Sequence, residues 1–361
     1  KRQVGRQTEK SISGLMKPLR ILYGVLITAS VFSCGDKRAG NNGIVFERTE
    51  KLVASDSIDI EQYGIYNPQH IVASNDSVWI VLGEGASELV YLLNDSGKYE
   101  AKGIRLGKGP NEVLEITSMH RVGHSTFIYD GRKGALSELH YADSTMTLTP
   151  RMSGISFWDD ACMFPDGKVL AFPVIGNYSY ALLDKQGNVT DTLAYYPTKP
   201  DGVSDFTHTL ACTGTTAFLP HGKGSFARTL VYDGAIDFFK ADGDSLKHLA
   251  RQEEFGMDYD VIDQMGQSVP TLSKTTRNGY RSLTASNNAF YALFSNDLVL
   301  KNIEGCSEMQ AFAADGTPQC KYQLDRKLSD IAVKPDNSVI YGVANTDDGQ
   351  TMLYIYHVPK D

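Results

Sequence analysis

Two carboxylates and one histidine stand at matching positions of a strand pattern that recurs along the sequence. His70, Asp160 and Asp330 each lie at the start of a short apolar strand, and Met119 and Ser282 occupy the corresponding positions of two further copies. Carboxylate oxygens bind hard cations such as Ca²⁺, and a histidine near a carboxylate can act as a general base. One hypothesis is therefore a divalent-cation or general-base site where these strands meet.

Further side chains beside these positions could contact a ligand, namely Trp158, Asp159, Tyr280 and Arg281. The alternative is that the polar side chains bond to neighbouring strands or to water. No spacing singles out a reaction, and the sequence has no nucleophile elbow, P-loop, H-E-x-x-H or EF-hand loop. We therefore expect no catalytic residue, no metal ligand and no cofactor, with Ca²⁺ or another divalent cation as the alternative occupant.

The elements that must position these residues are short strands separated by Gly, Asn, Asp and Pro turns. His70–Ile80, Ala161–Leu170 and Ile331–Ile340 share one order of strand, turn and strand, and weaker copies begin near Met119, Thr216 and Leu283. Six four-stranded units spaced roughly 40–70 residues apart are typical of a β-propeller. One blade cannot bury both of its faces alone, whereas blades packed in a ring can. The sequence predicts an all-β, six-bladed propeller.

The last unit ends after its third strand, so we expect an N-terminal strand to close the ring. The segment Ile44–Ile60, with strand alternation around Leu52 and Val53, is the candidate. Closure of this kind covers a sheet edge. Two segments, Tyr195–Cys212 and Glu253–Tyr280, are longer than turns and should lie on one face of the ring, before inner strands. Within the second, Tyr259–Met265 is predicted to form a short helix.

The first 33 residues have the pattern of an export signal. Lys17 and Arg20 precede the apolar run Ile21–Phe32, which is too short to span a bilayer comfortably. The following Val-Phe-Ser-Cys resembles a bacterial lipobox, so Cys34 is the predicted lipidation site. An ordinary signal peptide with an incidental cysteine is the alternative. We take Met16 as the expected start and the residues before it as an upstream extension.

Three regions follow from these patterns: residues 1–33 as extension and signal peptide, 34–43 as a flexible tether, and 44–361 as the propeller. The predicted location is the bacterial cell envelope, with the lipid in a membrane (the outer membrane is favoured) and the domain in the periplasm or outside the cell. The formal charge of −8 argues against a nucleic-acid partner. We expect a monomer. Four cysteines remain, as two disulfides or as four buried thiols: Cys162, Cys212, Cys306 and Cys320.

The segment Leu106–Glu112 follows a predicted fourth strand and reads Leu-Gly-Lys-Gly-Pro-Asn-Glu. Its Gly107, Gly109, Pro110 and Glu112 form a G-x-G-P-x-E pattern. With the lipobox and the repeated turns, this pattern resembles the TolB-like six-bladed propeller lipoproteins. The resemblance implies the fold and location rather than a reaction. From the residues alone, the segment is a structural corner in which Glu112 accepts backbone N–H groups, or alternatively a ligand-contacting loop.

Two functions of different classes remain open. The first is a binding or interaction module at the cell envelope, with the membrane engaged through the lipid and with an envelope protein or a glycan as the ligand. The second is a metal-dependent enzyme at the channel, similar to a lactonase or to a glycan-active hydrolase or lyase. The sequence favours the first, because fold alone does not determine function and no catalytic constellation is evident.

Overall fold

Short β-strands account for nearly all regular structure in the described part of the chain. The structure is a computed structural model that describes residues 43–83, 85–155, 158–173, 179–221, 224–299, 301 and 305–359. The leader, Cys34 and most of the tether therefore lie outside the described residues. Within those residues, no helix is long and apolar enough to cross a membrane.

Six sheets repeat one antiparallel order, in which the chain runs from the innermost to the outermost strand. Two strands precede the first blade: β1 (Arg48–Leu52) and β2 (Asp56–Asp59). The first blade contains β3 (Pro68–Ala73), β4 (Ser77–Leu82), β5 (Val90–Asn94) and β6 (Tyr99–Gly103). A short parallel ladder follows, made of β7 (Arg105–Leu106) and β8 (Glu112–Val113). The second blade contains β9 (Ser118–Val122), β10 (Ser125–Asp130), β11 (Ala135–Ala142) and β12 (Thr145–Ser153).

The remaining four blades continue the same order. The third blade contains β13 (Trp158–Met163), β14 (Val169–Pro173), β15 (Tyr180–Leu183) and β16 (Val189–Leu193). Helix α1 (Asp205–Ala211) precedes the fourth blade, which contains β17 (Gly214–Phe218), β18 (Ser225–Leu230), β19 (Ala235–Asp242) and β20 (Ser245–Glu253). A hairpin of β21 (Asp260–Gln264) and β22 (Gln267–Thr271) follows. The fifth blade contains β23 (Tyr280–Ala285), β24 (Ala289–Phe294), β25 (Cys306–Ala313) and β26 (Pro318–Leu328), and the sixth contains β27 (Asp330–Val333), β28 (Val339–Asn345) and β29 (Thr351–His357).

The N-terminal strands close the ring, as the sequence predicts. Strand β2 pairs antiparallel with β29 and gives the sixth blade its fourth, outermost strand. Strand β1, which contains Leu52, instead joins the fifth blade as an added fifth strand, parallel to β26. The segment before the first blade therefore pairs with the outer edges of two neighbouring sheets and adds a strand to each.

The second strand of a blade is the most deeply buried. Strands β4, β18 and β24 are buried at every residue. Each blade packs against a neighbour on both faces, so its interior strands lack the alternation of a half-buried strand. The outer strands β12 and β20 keep many exposed residues. Apolar side chains of adjacent blades fill the spaces between sheets, as Tyr180, Phe226 and Phe239 do between the third and fourth blades.

The two long connections lie on the face where the inner strands begin, as predicted, and they contact each other. The hydroxyl of Thr207 in α1 donates to the carbonyl oxygen of Ser268 in the hairpin at 2.8 Å. Helix α1 was not predicted from the sequence. Its N-cap is Ser204, whose hydroxyl accepts the backbone N–H of Thr207.

The predicted helix over Tyr259–Met265 is wrong, because most of that segment forms strand β21 of the hairpin. Met265 and Gly266 form its two-residue turn and have φ angles of 55° and 80°. Positive φ at both positions is the geometry that joins twisted antiparallel strands. The adjacent β-branched Val261 and Ile262 also favour a strand.

The four cysteines of the propeller are buried and free, so the disulfide alternative is not realised. Burial raises the pKa of the Cys212 and Cys306 thiols to about 12. Because the thiolate is the reactive form, both thiols remain protonated and unreactive at neutral pH.

Candidate functional site

The six inner strands surround a central channel, and their first residues form its mouth. The channel cavity has a volume of about 140 Å³. Strands β3, β13 and β23 each carry one extra residue near the mouth, where their pairing with the second strand shifts. The extra residues are Gln69, Asp159 and Arg281, and all three line the channel. A bulge redirects a side chain, so three alternate blades present a polar residue to the mouth.

Asp330 joins three blades at the point where the ring closes. One carboxylate oxygen accepts the backbone N–H of Ile71 in the first blade at 2.8 Å. The other accepts the hydroxyl of Ser282 in the fifth blade and the N–H of Ile331 in its own blade at 2.9 Å. The carboxylate is buried and bonds to strands on both sides, so its position serves the assembly of the ring.

Asp160 performs the corresponding task between the second and third blades. Its Oδ1 accepts the hydroxyl of Ser118, and His120 Nε2 lies 2.8 Å from the same oxygen. The repeat pattern gives Met119 the position equivalent to these acids, but the residue of the second blade that bonds to Asp160 is Ser118, one position earlier. Met119 is buried in the apolar cluster between the first and second blades.

The pKa values of the two carboxyls are displaced in opposite directions. Burial raises the pKa of Asp160, but the nearby His120, Ser118 and Arg228 outweigh burial and hold it below its ordinary value. Burial dominates at Asp330 and raises its pKa, although the charge of His70 opposes the shift. Among the described residues, no group of three or more His, Cys, Asp or Glu side chains is arranged to hold a metal ion. The geometry therefore gives the cation-site hypothesis no support.

Asp159 is paired with an arginine from the next blade. Arg228 of β18 donates from Nη2 to Asp159 Oδ2 at 2.6 Å and from Nη1 to the Thr216 hydroxyl at 3.0 Å. Its guanidinium lies 4.5 Å from the centre of the Phe172 ring. Burial lowers the pKa of Arg228, but the charge and hydrogen bond of Asp159, together with the charges of neighbouring groups, outweigh burial and raise it. Asp159 borders both the channel and a smaller pocket beside it.

The structure brings most of the predicted ligand-contacting residues to the channel. His70 and Arg281 line it together with the three aspartates. His70 is half-buried, and Arg281 is exposed at the mouth. These residues lie on four different blades, so the polar surface at the channel mouth is built from several blades together.

Of the two remaining predicted residues, one lies away from the channel and the other is not described. Tyr280 is buried within the fifth blade, where its hydroxyl donates to Gln310 Oε1 at 2.7 Å. Burial raises its pKa well above the ordinary value. Trp158 begins β13, but its side chain lies outside the described part of the chain.

The G-x-G-P-x-E segment forms a tight corner between the first and second blades. The backbone N–H of Gly109 donates to Glu112 Oε2 at 2.7 Å. A Cβ atom on Gly107 would lie 2.1 Å from the same oxygen, so the carboxylate occupies space that only a glycine leaves open. Asn111, beyond Pro110, accepts the backbone N–H of Leu148 in β12 at 2.7 Å. These contacts fix the chain path between the two blades.

A family model of TolB-like six-bladed propellers matches residues 48–336, which is most of the chain. The chain belongs to this family. No curated protein matches it.

Solved structures with a similar fold share few identical residues with this TolB-like propeller. A presumed exported protein of Bacteroides fragilis is 9% identical, with 88% of this chain and 100% of that chain covered and a TM-score of 0.49. The β-propeller domain of Myceliophteria thermophila Cps50 (Swd1) is 9% identical, with 85% and 100% covered and a TM-score of 0.48. A luciferin-regenerating enzyme is 9% identical, with 84% and 95% covered and a TM-score of 0.46. None of these values supports the transfer of an activity.

Four polar residues at or beside the channel of this TolB-like propeller were missed by sequence reasoning: Ser118, His120, Arg121 and Arg228. Ser118 and His120 lie 42 and 40 residues from their partner Asp160, and Arg228 lies 69 residues from Asp159. The sequence signal was available for the first three, because polar residues interrupt the apolar strand Ser118–Val122. Arg228 is flanked by buried residues of β18 and had no such signal.

The two insertions, with Val231 of the adjoining β18–β19 turn, expose several large apolar side chains on the channel-mouth face. We define the insertion surface by the exposed residues Phe206, Val231, Val261, Ile262, Met265 and Leu272. They make up six of the thirteen exposed large apolar residues in the described part of the chain, and Met265 is 100% exposed. Exposed apolar residues that are grouped in neighbouring loops mark an interaction surface more often than residues scattered singly over the protein do.

A buried histidine holds the two insertions together beneath that surface. His208 Nε2 lies 2.9 Å from the carbonyl oxygen of Pro197, and its Nδ1 lies 2.8 Å from the hydroxyl of Tyr259. A carbonyl only accepts, so Nε2 carries the proton and Nδ1 accepts the tyrosine O–H. Burial lowers the pKa of His208, which keeps the ring neutral. His208 therefore cross-links the two loops as a neutral ring.

Proposed function

We propose that this TolB-like propeller is a lipid-anchored binding module of the bacterial cell envelope that contacts a protein partner through its insertion surface. The proposal depends chiefly on one observation. The two longest connections of the ring emerge on the same face, bond to each other and, with the adjoining Val231, expose six large apolar side chains there. A connection that only joined two strands would not need an exposed Phe206, Ile262 or Met265.

The side chains themselves favour a protein over a glycan as the partner. The insertion surface contains five aliphatic residues and one phenylalanine. Aliphatic side chains gain most from contact with apolar protein surface, whereas sugar rings stack on aromatic side chains. Met and Phe are enriched in the buried centres of protein interfaces. An envelope protein therefore fits this surface better than a glycan does.

The anchor and the location are inferred from the leader. The lipobox-like Val-Phe-Ser-Cys would place a lipid on Cys34, and residues 35–43 would hold the propeller away from the membrane. A lipid needs a second membrane signal for stable attachment unless several acyl chains are added. The outer membrane is the location we favour.

Site-specific photo-cross-linking in cells that naturally express the protein tests the proposed surface. A photoreactive amino acid replaces Met265 at the hairpin tip, and in a matched control it replaces Val189, which is 51% exposed on the outer strand of the third blade. We expect one discrete protein adduct from position 265 and none from position 189. The adduct should disappear when Ile262→Asp is added, because a charge would interrupt the apolar contact.

Three outcomes would count against the proposal. Adducts of the same mass from both positions would show non-specific contact. An adduct that persists with Ile262→Asp would show that the apolar surface is not used. An adduct that a glycosidase removes and a protease does not would identify a glycan as the ligand. Ile262 is 48% exposed, so its substitution should leave the fold intact, which circular dichroism and the melting temperature check.

A further inference from the structure

Arg121 lines the central channel, and one nitrogen of its guanidinium has no hydrogen-bond partner among the described residues. The residue lies on inner strand β9 and lines the cavity. Its Nη1 donates to the carbonyl oxygen of Gly123 at 3.2 Å. Its Nη2 is buried and has no hydrogen-bond partner among the described residues. A buried donor without an acceptor is unfavourable, and more so when it carries a charge.

The aspartates of the channel do not provide the missing acceptor. Asp159 is paired with Arg228, Asp160 bonds to Ser118 and His120, and Asp330 bonds to strands of three blades. Each of these carboxylates faces a partner that is not Arg121. The positive charge of Arg121 is therefore left without a counter-ion inside the ring, and burial lowers its pKa to about 10.

We propose that the central channel is a binding site for a small oxyanion, held by the guanidinium of Arg121. Guanidinium N–H groups match the oxygen geometry of carboxylates and phosphates, which are the two sources of this chemistry. The cavity of about 140 Å³ has room for on the order of ten water molecules. It therefore has room for inorganic phosphate or a small carboxylic acid. This site is separate from the insertion surface, and the proposal stands whether or not a protein binds there.

The test compares melting temperatures of the propeller in sodium phosphate, sodium acetate and sodium chloride at equal ionic strength. Ligand binding to the native state alone raises the melting temperature as the ligand concentration rises. For the wild type we expect a saturable rise of about 3 °C with phosphate or acetate and none with chloride. Arg121→Met keeps the apolar stem and removes the charge, so it should lose the saturable rise. Arg105→Met is the matched control, since Arg105 pairs with Glu88 outside the channel and should respond as the wild type does.

A second comparison of melting temperatures shows whether the Arg121 guanidinium lacks a partner or is hydrogen-bonded to water. In chloride, Arg121→Met should melt higher than the wild type, because it removes a buried charge that has no counter-ion. The order of the two melting temperatures should reverse in saturating oxyanion. A lower melting temperature of Arg121→Met in chloride would contradict the inference, and so would an oxyanion response equal to that of the wild type.

A direct measurement on the wild type keeps the proposal testable if the variant fails to fold. Crystals soaked in sodium selenate should show anomalous density within hydrogen-bond distance of Arg121 Nη2. If the thermal response is to phosphate, selenate density at other sites only, or no density in the channel at saturating concentrations, would overturn the proposal. A response to phosphate but not to acetate would assign the site to phosphate-like anions, and the reverse would assign it to carboxylates.

Discussion

Asp330→Ala should destabilise the propeller strongly, because this carboxylate bonds to three blades where the ring closes. The substitution leaves the buried N–H of Ile71 without an acceptor and leaves the N–H of Ile331 with only the Ser282 oxygen, at 3.4 Å. The Ser282 hydroxyl loses its acceptor as well. Each unsatisfied buried backbone group costs about 1–3 kcal/mol. Part of this cost is offset, because the substitution also removes a buried carboxylate, and burying a carboxylate is unfavourable. We expect the free energy of unfolding at pH 7 to fall by about 3 kcal/mol.

The assay is urea unfolding followed by tryptophan fluorescence and circular dichroism, with Asp336→Ala as the matched control. Asp336 lies in the exposed turn of the same blade, where it bonds only to Ser338. Its loss should lower the free energy of unfolding by less than about 1 kcal/mol. Asp330→Asn keeps one acceptor oxygen and should fall between Asp330→Ala and the wild type.

Two results would refute this reasoning. If Asp330→Ala unfolds within about 1 kcal/mol of the wild type, the carboxylate does not hold the blades together. If Ca²⁺ raises the melting temperature of the wild type and Asp330→Ala abolishes that rise, the carboxylate binds a cation and the alternative enzyme hypothesis regains support.

Two further predictions concern the fourth blade and the leader. Burial raises the pKa of Asp233 to about 6, although Arg251 donates to it at 2.6 Å. Its folded pKa exceeds its unfolded value, so the native state binds more protons between about pH 4 and pH 6, and stability falls as pH rises through that range. Asp233→Asn should remove that part of the pH dependence, measured as urea midpoints from pH 4 to pH 7; an unchanged slope would contradict the shift. Cys34→Ser should move the protein from the membrane fraction to the soluble fraction and abolish labelling by a clickable palmitate analogue; unchanged fractionation would contradict the lipid anchor.

The ring could be predicted from the sequence because strands and turns leave local signals. Apolar runs separated by Asp-Gly, Asn-Asp and Pro-Asp turns fix the number of blades without knowledge of any contact. The closing strand was harder to locate. Strand β2 reads Asp-Ser-Ile-Asp and has no buried residue, so its pairing with β29 decides its conformation. The more apolar Leu52, which suggested the closing strand, belongs to β1 on the fifth blade.

The partners of the channel acids could not be predicted from the sequence. They depend on how the inner strands of different blades align, and the sequence does not fix that alignment to within one residue. The inner strands of the third and fifth blades have a bulge just before Asp160 and Ser282. The inner strand of the second blade, β9, pairs with β10 without a bulge, so its residues are offset by one from those of the other two strands. An alignment of the repeats that ignores the bulges makes Met119 the equivalent of Asp160 and Ser282. In the structure it is Ser118 that bonds to Asp160. A shift of one residue exchanges the two faces of a strand. The assignment of the acids was therefore possible, but the assignment of their partners was not.

The closure of the ring also limits where ligand chemistry can reside. The sixth and first blades are joined in two places. At the outer edge, β2 pairs with the sixth blade and the chain then continues into the first, and at the channel Asp330 bonds to Ile71 of the first blade. A ligand that competed for Asp330 would weaken the inner joint, and one that competed for Asp160 would weaken the contact between the second and third blades. Binding without loss of stability must therefore use groups that the ring does not need. Within the described residues, the charge of Arg121 and the insertion surface meet that condition.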